Sequence, residues 1–164
     1  TIILRADKTP SFKQLLANPV QMLAFGFGSG LSKKAPGTMG TLVAIPFYYV
    51  LIKFFENGYA AALILVVVSG VWICGKAADD IGVHDHGGIV WDEIAGYLLT
   101  MYWVAFSWQN VILGFVLFRL FDIAKPWPIN WLDTKVKGGL GIMVDDLLAG
   151  LMSAGCLYVL TGLL

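Results

Sequence analysis

The sequence predicts an all-α fold, a compact multi-helix membrane bundle with short helices and an acidic site at its cytoplasmic face. The 164-residue chain is 58% hydrophobic and only 13% charged, against about 25% charged in soluble domains. Its mean hydropathy is +0.76. Long windows contain no charged residue, and the acidic residues are concentrated in short segments between them. These observations together indicate helices that are solvated by lipid.

Length and net charge limit the domain count and the partners. A chain of this size is typical of one domain, so residues 1–164 are interpreted as a single membrane-embedded unit with a polar N-terminal tail over residues 1–18. The tail is too polar for a signal peptide. Eleven basic residues balance eleven acidic ones, so no nucleic-acid partner is predicted. Neither Cys74 nor Cys156 is followed by an arginine six positions on, which excludes a thiol-phosphatase loop.

Three of the charge-free windows are long enough to cross a bilayer, since a spanning helix needs about 20 apolar residues. These are the second, third and fifth windows. The first is interrupted by GFGSG and is predicted to lie at the interface or to re-enter the membrane. In chain order the windows cover residues 14–32, 35–52, 57–75, 94–118 and 147–164.

The fourth window can form one helix or a hairpin of two. One helix would place Glu93 and Asp122 on opposite sides of the membrane. The polar and aromatic segment FSWQN at 106–110 favours a break, which gives arms over 91–105 and 110–124, each about 22 Å long. We favour the hairpin because it returns Asp122 to the face that carries Glu93.

The hairpin also determines the predicted orientation. Every acidic residue except Asp7 and Glu56 then falls on one face of the membrane. Most basic residues fall there as well, and Lys53 is the exception at the far end. The positive-inside rule therefore predicts that the acidic face is cytoplasmic.

Two carboxylate pairs, Asp92-Glu93 and Asp145-Asp146, are each predicted to begin a helix. A single carboxylate is enough to cap a helix, and two adjacent ones repel each other when buried. A shared cation explains the doubled pairs better than capping does. Ligation by oxygen alone suits a hard ion such as Mg²⁺.

The segment RLFDIAKPWPI at 119–129 places Arg119, Asp122 and Lys125 along one side of a helix that ends near Pro126. The two cations are interpreted as phosphate-binding groups beside a carboxylate. The alternative is a salt bridge at the helix end with a lysine that reaches out to the interface.

Two further motifs leave alternatives open. APGTMGT at 35–41 either forms a turn capped by Thr38 or Thr41 or presents free N–H groups to an anion at a helix start. His84 and His86 either hold a loop over the acidic cluster or shuttle protons, and a purely structural loop role fits equally. A zinc site would lack its usual ligands.

Four motifs together resemble the phosphatidylglycerophosphatase A family, and the resemblance extends from about residue 23 to residue 158. They are PGTMGT, GVHDHGGIVWDEIAG, FRLFDIAKPWPI and GIMVDDLLAG, in this order. The resemblance implies a multi-pass protein of the bacterial inner (cytoplasmic) membrane with its active site facing the cytoplasm. It also implies a Mg²⁺-dependent lipid phosphatase that hydrolyses phosphatidylglycerophosphate to phosphatidylglycerol and phosphate in phospholipid biosynthesis. The positions carried over from the resemblance are Asp79, Asp80, Asp85, Asp92, Glu93, Asp122, Asp145, Asp146 and Lys125.

The phosphatase hypothesis assigns an expected role to each of the candidate site residues. Asp122 is expected to orient the attacking water. The catalytic residues would be Asp122, Asp92, Lys125 and Arg119. The metal ligands would be drawn from Glu93, Asp92, Asp145, Asp146 and Asp80. Substrate contacts are expected from Thr38, Gly40, Lys125, His84 and His86.

Two alternatives use similar residues. A small divalent-cation transporter would use the same acids as a translocation path, but no carboxylate lies midway along an apolar run, where transporters usually bind ions. Phospho-alcohol transfer between lipids would require a DGxxAR signature, which the chain does not contain. The sequence makes no prediction of the oligomeric state.

Overall fold

A computed structural model describes residues 9–163 of the chain. Over this range the regular structure is helical and contains no strand, which confirms the all-α prediction. Two short 3-10 turns, Gly26–Leu31 and Glu56–Gly58, separate some of the helices. The α-helices are α1 (Phe12–Ala17), α2 (Pro19–Ala24), α3 (Pro36–Phe54), α4 (Tyr59–Ile81), α5 (Trp91–Met101), α6 (Trp108–Ala124), α7 (Ile129–Lys135) and α8 (Gly138–Leu163).

The three predicted membrane spans correspond to α3, α4 and α8. The segments Pro36–Phe54, Glu56–Ile81 and Gly138–Gly162 are long and apolar enough to cross a bilayer. The first window does not form a span, because it is divided between α1, α2 and a turn in which Phe27 has a φ of 58°. The described chain is therefore a compact membrane bundle with additional short helices.

Helix α6 shows how the bundle meets its surroundings. One stripe along it is buried and the opposite stripe is exposed, and Ile123 retains 69% of its accessible surface. Large apolar side chains exposed along a whole helix are what lipid contact requires. The buried stripe consists of Val111, Gly114, Phe118 and Asp122, and the exposed stripe of Ile112, Val116, Leu120 and Ile123.

The hairpin prediction is confirmed. Helix α5 ends at Met101 and α6 begins at Trp108, where the Ser107 hydroxyl caps the new helix by accepting the N–H of Asn110 at 3.0 Å. The first arm is shorter than the predicted 91–105. The end of α6 returns to the start of α5, so that Arg119 Nη1 lies 3.9 Å from Glu93 Oε1.

Helices α5 and α8 cross in the middle of the bundle at two glycines. A Cβ atom on Gly150 would lie 2.5 Å from the carbonyl oxygen of Gly96, so a side chain there would push the helices apart. The Thr100 hydroxyl donates to the carbonyl of Gly96 at 2.9 Å and lies 3.3 Å from that of Gly150. The crossing is therefore held by backbone contact and by a hydroxyl whose hydrogen bond is satisfied inside the bundle.

The expectation that Asp145 and Asp146 open the last helix is wrong. Helix α8 begins at Gly138, about two turns earlier. Gly138 adopts a φ of 71°, which glycine tolerates well, and its N–H donates to His84 Nε2 at 2.8 Å. The glycine-rich segment can therefore start a helix. Residues 126–144, between the end of α6 and the carboxylate pair, contain α7 and the first turns of α8.

Two other boundaries differ from the prediction. Helix α4 continues beyond the predicted end at residue 75 to Ile81, and Gly82 terminates it in the left-handed conformation with a φ of 70°. Part of the predicted polar tail forms α1, whose Leu15 is fully buried. A helix this short is marginal by itself, and the packing of Leu15 against the bundle stabilises it.

Candidate active site

An acidic cleft of about 340 Å³ opens at the end of the bundle where α3 and α5 begin and α6 ends. Carboxylates outnumber cations among its side chains. Its charged residues are Asp85, Asp92, Glu93, Arg119, Asp122, Lys125, Asp145 and Asp146, and the rest of its lining is Ala35, Pro36, Gly37, Gly87, Ile89 and Ile123.

Three carboxylates from two helices converge in this cleft. Asp92, Glu93 and Asp146 each offer an oxygen, and these oxygens all lie within 4.8 Å of one another. The glycine crossing explains the convergence. Asp92 and Asp146 each precede a glycine of the crossing, Gly96 and Gly150, by four residues, which is about one helical turn.

Two cations neutralise part of this charge. Arg119 forms an ion pair with Asp122, three residues further along α6, and also approaches Glu93. Lys125, which ends α6 with a φ of 42°, forms an ion pair with Asp145 on α8. Both cations are therefore held at the rim of the carboxylate group by side chains that are themselves largely buried.

The two cations leave part of the carboxylate charge without compensation. Within residues 9–163, neither Asp92 nor Asp146 has an ion-pair partner, although each is less than a tenth exposed. Oε2 of Glu93 and Oδ1 of Asp145 are buried, and no hydrogen-bond donor among the described residues reaches them. Burial and the neighbouring charge of Asp146 raise the pKa of Glu93 to about 8. Burial, followed by the charge of Glu93, also raises the pKa of Asp92.

This arrangement fits a divalent cation. Asp92 Oδ1 accepts only the backbone N–H of Glu93 among the described residues, at 3.1 Å. Clustered carboxylates with so few donors are costly to bury, and a bound cation removes that cost. The available metal ligands are all carboxylate oxygens, and Mg²⁺ prefers oxygen ligands. Asp92, Glu93 and Asp146 are therefore the residues that could hold it. Asp145 has a second oxygen that makes no hydrogen bond within the described part of the chain.

The start of α3 forms the opposite wall of the cleft. Ala35 precedes the helix and makes no side-chain capping hydrogen bond, so side chains leave the first N–H groups of α3 uncapped. A Cβ atom on Gly37 would lie 2.4 Å from Glu93 Oε1 and 2.9 Å from Arg119 Nη1. Only glycine allows the backbone to approach these groups so closely, which places an anion-binding helix end beside the carboxylates.

Some predicted site residues lie elsewhere. Asp80 forms an ion pair with Lys76 on α4 and borders a separate depression with Gln14 and Asn18. The structure therefore does not bring Asp80 to the other four expected metal ligands, because the extended α4 carries it to a different side of the bundle.

The expected substrate contacts are also divided. Thr38 and Gly40 lie within α3 and do not line the cleft, and Gly40 instead packs under Val90. His84 accepts the N–H at the start of α8. His86 borders a neighbouring cavity. Of this set, only Lys125 reaches the acidic cleft.

Sequence reasoning did not name the uncharged lining residues of the cleft as site residues, and these are Ala35, Pro36, Gly37, Gly87, Ile89 and Ile123. Gly37 follows the proline at the first position of α3, and a Pro-Gly pair at a helix start is the signal that could have identified it. Pro36 and Ile123 carry no chemical signal, and only the fold shows that they line the site. Ile123 is notable because it borders the cleft and is also exposed on the outer face of α6.

Fold and site together define an α-helical membrane protein with a buried carboxylate cluster and two cations at one end of its bundle. The family model described as Phosphatidylglycerophosphatase A matches residues 22–161. The chain belongs to the phosphatidylglycerophosphatase A family, as the motifs predict.

Curated relatives agree with this assignment. Phosphatidylglycerophosphatase A of Escherichia coli is 48% identical over 159 residues, which cover 96% of this chain and 92% of the relative. The Haemophilus influenzae protein of the same name is 43% identical over 149 residues, covering 88% and 90%. A Bacteroides thetaiotaomicron protein with the provisional name phosphatidylinositol-3-phosphatase is 37% identical over 154 residues, covering 89% and 92%. No solved structure matches the chain significantly.

Proposed function

We propose that this protein is a Mg²⁺-dependent lipid phosphatase that hydrolyses phosphatidylglycerophosphate to phosphatidylglycerol and phosphate in phospholipid biosynthesis. Family membership and the names of the first two relatives support the reaction and the substrate. The observation that carries the proposal is the convergence of Asp92, Glu93 and Asp146 beside the cations Arg119 and Lys125.

The cations and the start of α3 account for binding of the phosphomonoester. Arg119 and Lys125 are hydrogen-bond donors that enter the cleft from α6 and its C-terminal end. The first N–H groups of α3 add donors without adding charge. Donors fixed in place before the substrate arrives stabilise the charge that develops on the transferred phosphoryl group.

Asp122 is proposed to orient the attacking water. It lines the cleft, is 9% exposed, and is held by the ion pair with Arg119. The water oxygen forms a bond to phosphorus, the bond between phosphorus and the glycerol oxygen breaks, and Asp122 accepts the proton that the water loses. The glycerol oxygen takes up a proton from solvent as it leaves, and Asp122 afterwards releases its proton to solvent, so that the products are phosphatidylglycerol and inorganic phosphate.

Asp92, Glu93 and Asp146 are proposed to hold Mg²⁺. When bound, the ion would neutralise phosphate charge and acidify a water molecule. Without such a cation, the phosphate dianion would meet an excess of carboxylates in the cleft and be repelled. The carboxylates of the cleft therefore make a cation necessary for phosphate binding, and they also provide the ligands to hold it.

We propose that the cleft faces the cytoplasm from the bacterial inner membrane. Lys33 and Lys34 precede α3 at the cleft end, and Lys125 ends α6 there, whereas Lys53 lies in the last turn of α3 at the far end. An excess of lysine and arginine at one end of a bundle is typical of its cytoplasmic side. Membership of the phosphatase family does not favour the alternative of a cation transporter.

Phosphate release by the purified protein in detergent micelles tests the proposal. Phosphatidylglycerophosphate is the substrate, and the metal is removed with a chelator and then restored by titration with Mg²⁺. We expect chelation to abolish phosphate release and Mg²⁺ to restore it. Full activity after complete chelation would exclude the metal-dependent mechanism, and no phosphate release under any condition would exclude the activity itself.

A further inference from the structure

A second cavity of about 590 Å³ adjoins the acidic cleft. The two spaces share Pro36 and Gly87 as lining residues, so only the start of α3 and the loop before α5 separate them. We call it the Lys33 cavity. Its lining includes Ser32, Lys33, Pro36, His86, Gly87 and Gly88.

The charge of the Lys33 cavity is opposite to that of the acidic cleft. None of the described residues that line it is acidic. Lys33 is exposed, and no described carboxylate forms an ion pair with it. An anion that the acidic cleft repels would therefore be attracted to the neighbouring cavity.

His86 supports the shape of this cavity through hydrogen bonds of both its ring nitrogens. Its Nδ1 accepts the N–H of Gly88 at 3.0 Å, so in the neutral ring Nε2 carries the proton and donates it to Thr9 Oγ1 at 3.2 Å. Both ring nitrogens thus hold the surrounding chain in place. Lys33 is the full positive charge among the described residues of the lining.

We propose that the Lys33 cavity binds the phosphodiester of the lipid substrate, with Lys33 as the residue that recognises it. This inference rests on the proposed function. The substrate carries two phosphate groups joined by a single glycerol bridge, so the two groups must occupy adjacent sites of different character. The monoester requires the cation-binding acidic cleft, and the diester is a permanent monoanion that requires a basic neighbour without carboxylates.

The arrangement also gives a reason for selectivity. A lipid whose only phosphate is a monoester, such as phosphatidic acid, would fill the acidic cleft and leave the Lys33 cavity without its anion. A lipid with only the diester, such as the product phosphatidylglycerol, would use the Lys33 cavity alone. Lys33 therefore distinguishes these lipids by charge position and not by acyl chain.

Lys33→Gln, with Lys34→Gln as its matched control, tests the inference. Lys34 is the next residue, is also exposed, and lines neither cavity. Kinetics are measured in uncharged detergent micelles with Mg²⁺ and phosphatidylglycerophosphate as the only anionic lipid. We expect Lys33→Gln to raise KM about fivefold, the upper range for one exposed charge pair, with kcat nearly unchanged. Lys34→Gln is expected to leave both constants as in the wild type.

Competitive inhibitors identify which phosphate Lys33 contacts. We expect Lys33→Gln to raise the Ki of phosphatidylglycerol by the same factor as KM and to leave the Ki of phosphatidic acid unchanged. Equal KM values for the two lysine variants, or equal changes in both Ki values, would overturn the inference. Where neither lipid inhibits, the comparison of KM values decides.

One further arm separates the substrate's own diester from bulk anionic lipid. The measurements are repeated with added phosphatidylserine. A Lys33→Gln defect that appears only in its presence would mean that Lys33 recruits bulk lipid, and the inference would fail. An active wild type with indistinguishable lysine variants contradicts this inference alone, whereas a wild type that releases no phosphate contradicts the proposed function.

Discussion

Gly150 on α8 meets Gly96 on α5 so closely that a methyl group on Gly150 would lie 2.5 Å from the Gly96 carbonyl oxygen. This contact brings the α5 carboxylates Asp92 and Glu93 to the α8 carboxylate Asp146. The metal-binding geometry of the proposed site thus depends on two residues without side chains. Their mutation should affect catalysis although neither can contact the substrate.

Gly150→Ala is expected to destabilise the protein by about 1–3 kcal/mol, the usual cost of overpacking, and to reduce phosphate release by separating the carboxylates. Thermal unfolding in detergent and phosphate release measure the two effects. Gly155→Ala is the control, because Gly155 is on the same helix and a Cβ atom there would meet nothing within 4 Å. A Gly150→Ala variant as stable and active as Gly155→Ala would contradict the close crossing.

Asp146→Asn is expected to remove the stabilisation that Mg²⁺ gives. A ligand present at a hundred times its dissociation constant stabilises the folded state by about 2.7 kcal/mol, which thermal unfolding with and without Mg²⁺ detects in the wild type. Without Mg²⁺, we expect Asp146→Asn to be at least as stable as the wild type, because the substitution removes one of three crowded charges.

Asp80→Asn is the control for this measurement, since Asp80 lies outside the acidic cleft and pairs with Lys76. It should keep both the Mg²⁺-dependent stabilisation and the activity. If Asp80→Asn lost both the Mg²⁺-dependent stabilisation and the activity, Asp80 would be a metal ligand after all. If Asp146→Asn kept the full Mg²⁺-dependent stabilisation, Asp146 would not be one.

Arg119→Gln is expected to cost about 2 kcal/mol of stability, since it leaves Asp122 buried without its cation. The side chains of Arg119 and Asp122 are 15% and 11% exposed, so the cost falls below that of a fully buried pair. Adding Asp122→Asn should recover most of the stability and none of the activity. A double-mutant cycle from thermal unfolding measures this coupling.

The exposed pair Lys76 and Asp80 provides the reference cycle. It has the same charges, and we expect its coupling to stay below about 1 kcal/mol because water screens it. Equal coupling in the two cycles would show that the pair of Arg119 and Asp122 is not shielded from solvent.

Lys125→Gly separates the backbone role of Lys125 from its charge. Its φ of 42° is unfavourable for a residue with a side chain, and glycine would relieve about 1 kcal/mol. We nevertheless expect Lys125→Gly to lose phosphate release, because Asp145 and the substrate phosphate lose their cation. Lys125→Arg, which keeps the charge, should retain more activity than Lys125→Gly. The opposite order would limit Lys125 to ending α6.

The same residue gives a prediction of pH dependence. Burial lowers the pKa of Lys125, but the hydrogen bond and charge of Asp145 outweigh burial and raise it above the usual lysine value. A raised lysine pKa contributes stability that is complete below the unfolded value, about 10.4, and is lost as pH rises through the folded value. The stability difference between the wild type and Lys125→Arg should therefore stay constant from pH 7 to about 9, as measured by thermal unfolding.

The sequence predicted the spans and the hairpin because both follow from composition along the chain. Charge-free length identifies α3, α4 and α8, and the polar segment at 106–110 identifies the break between α5 and α6. The same hairpin predicted that Asp122 returns to Glu93. These features need only local information, since a bilayer imposes the same length rule on every helix.

The remaining features depend on contacts between helices. The sequence predicts a later start for α8 because Gly138 and Gly139 are typical of loops, and the contact of Gly138 with His84 is not visible in the sequence. Sequence position alone does not distinguish Asp80 from the other acids, because it does not give the direction of a side chain on α4. The Pro-Gly pair indicates a helix start at Gly37, but the close approach of Gly37 to Glu93 and Arg119 is visible only in the fold.

Ile123 joins the outer surface of α6 to the wall of the acidic cleft. A phospholipid could thus bring its headgroup to the catalytic groups from within the plane of the membrane. Its acyl chains would stay among those of the surrounding lipids. Enzyme and substrate would then meet by diffusion in two dimensions. The turnover rate in mixed micelles should follow the mole fraction of substrate in the micelle and not its bulk concentration. Dilution with inert detergent would slow the enzyme even when the total amount of lipid is constant.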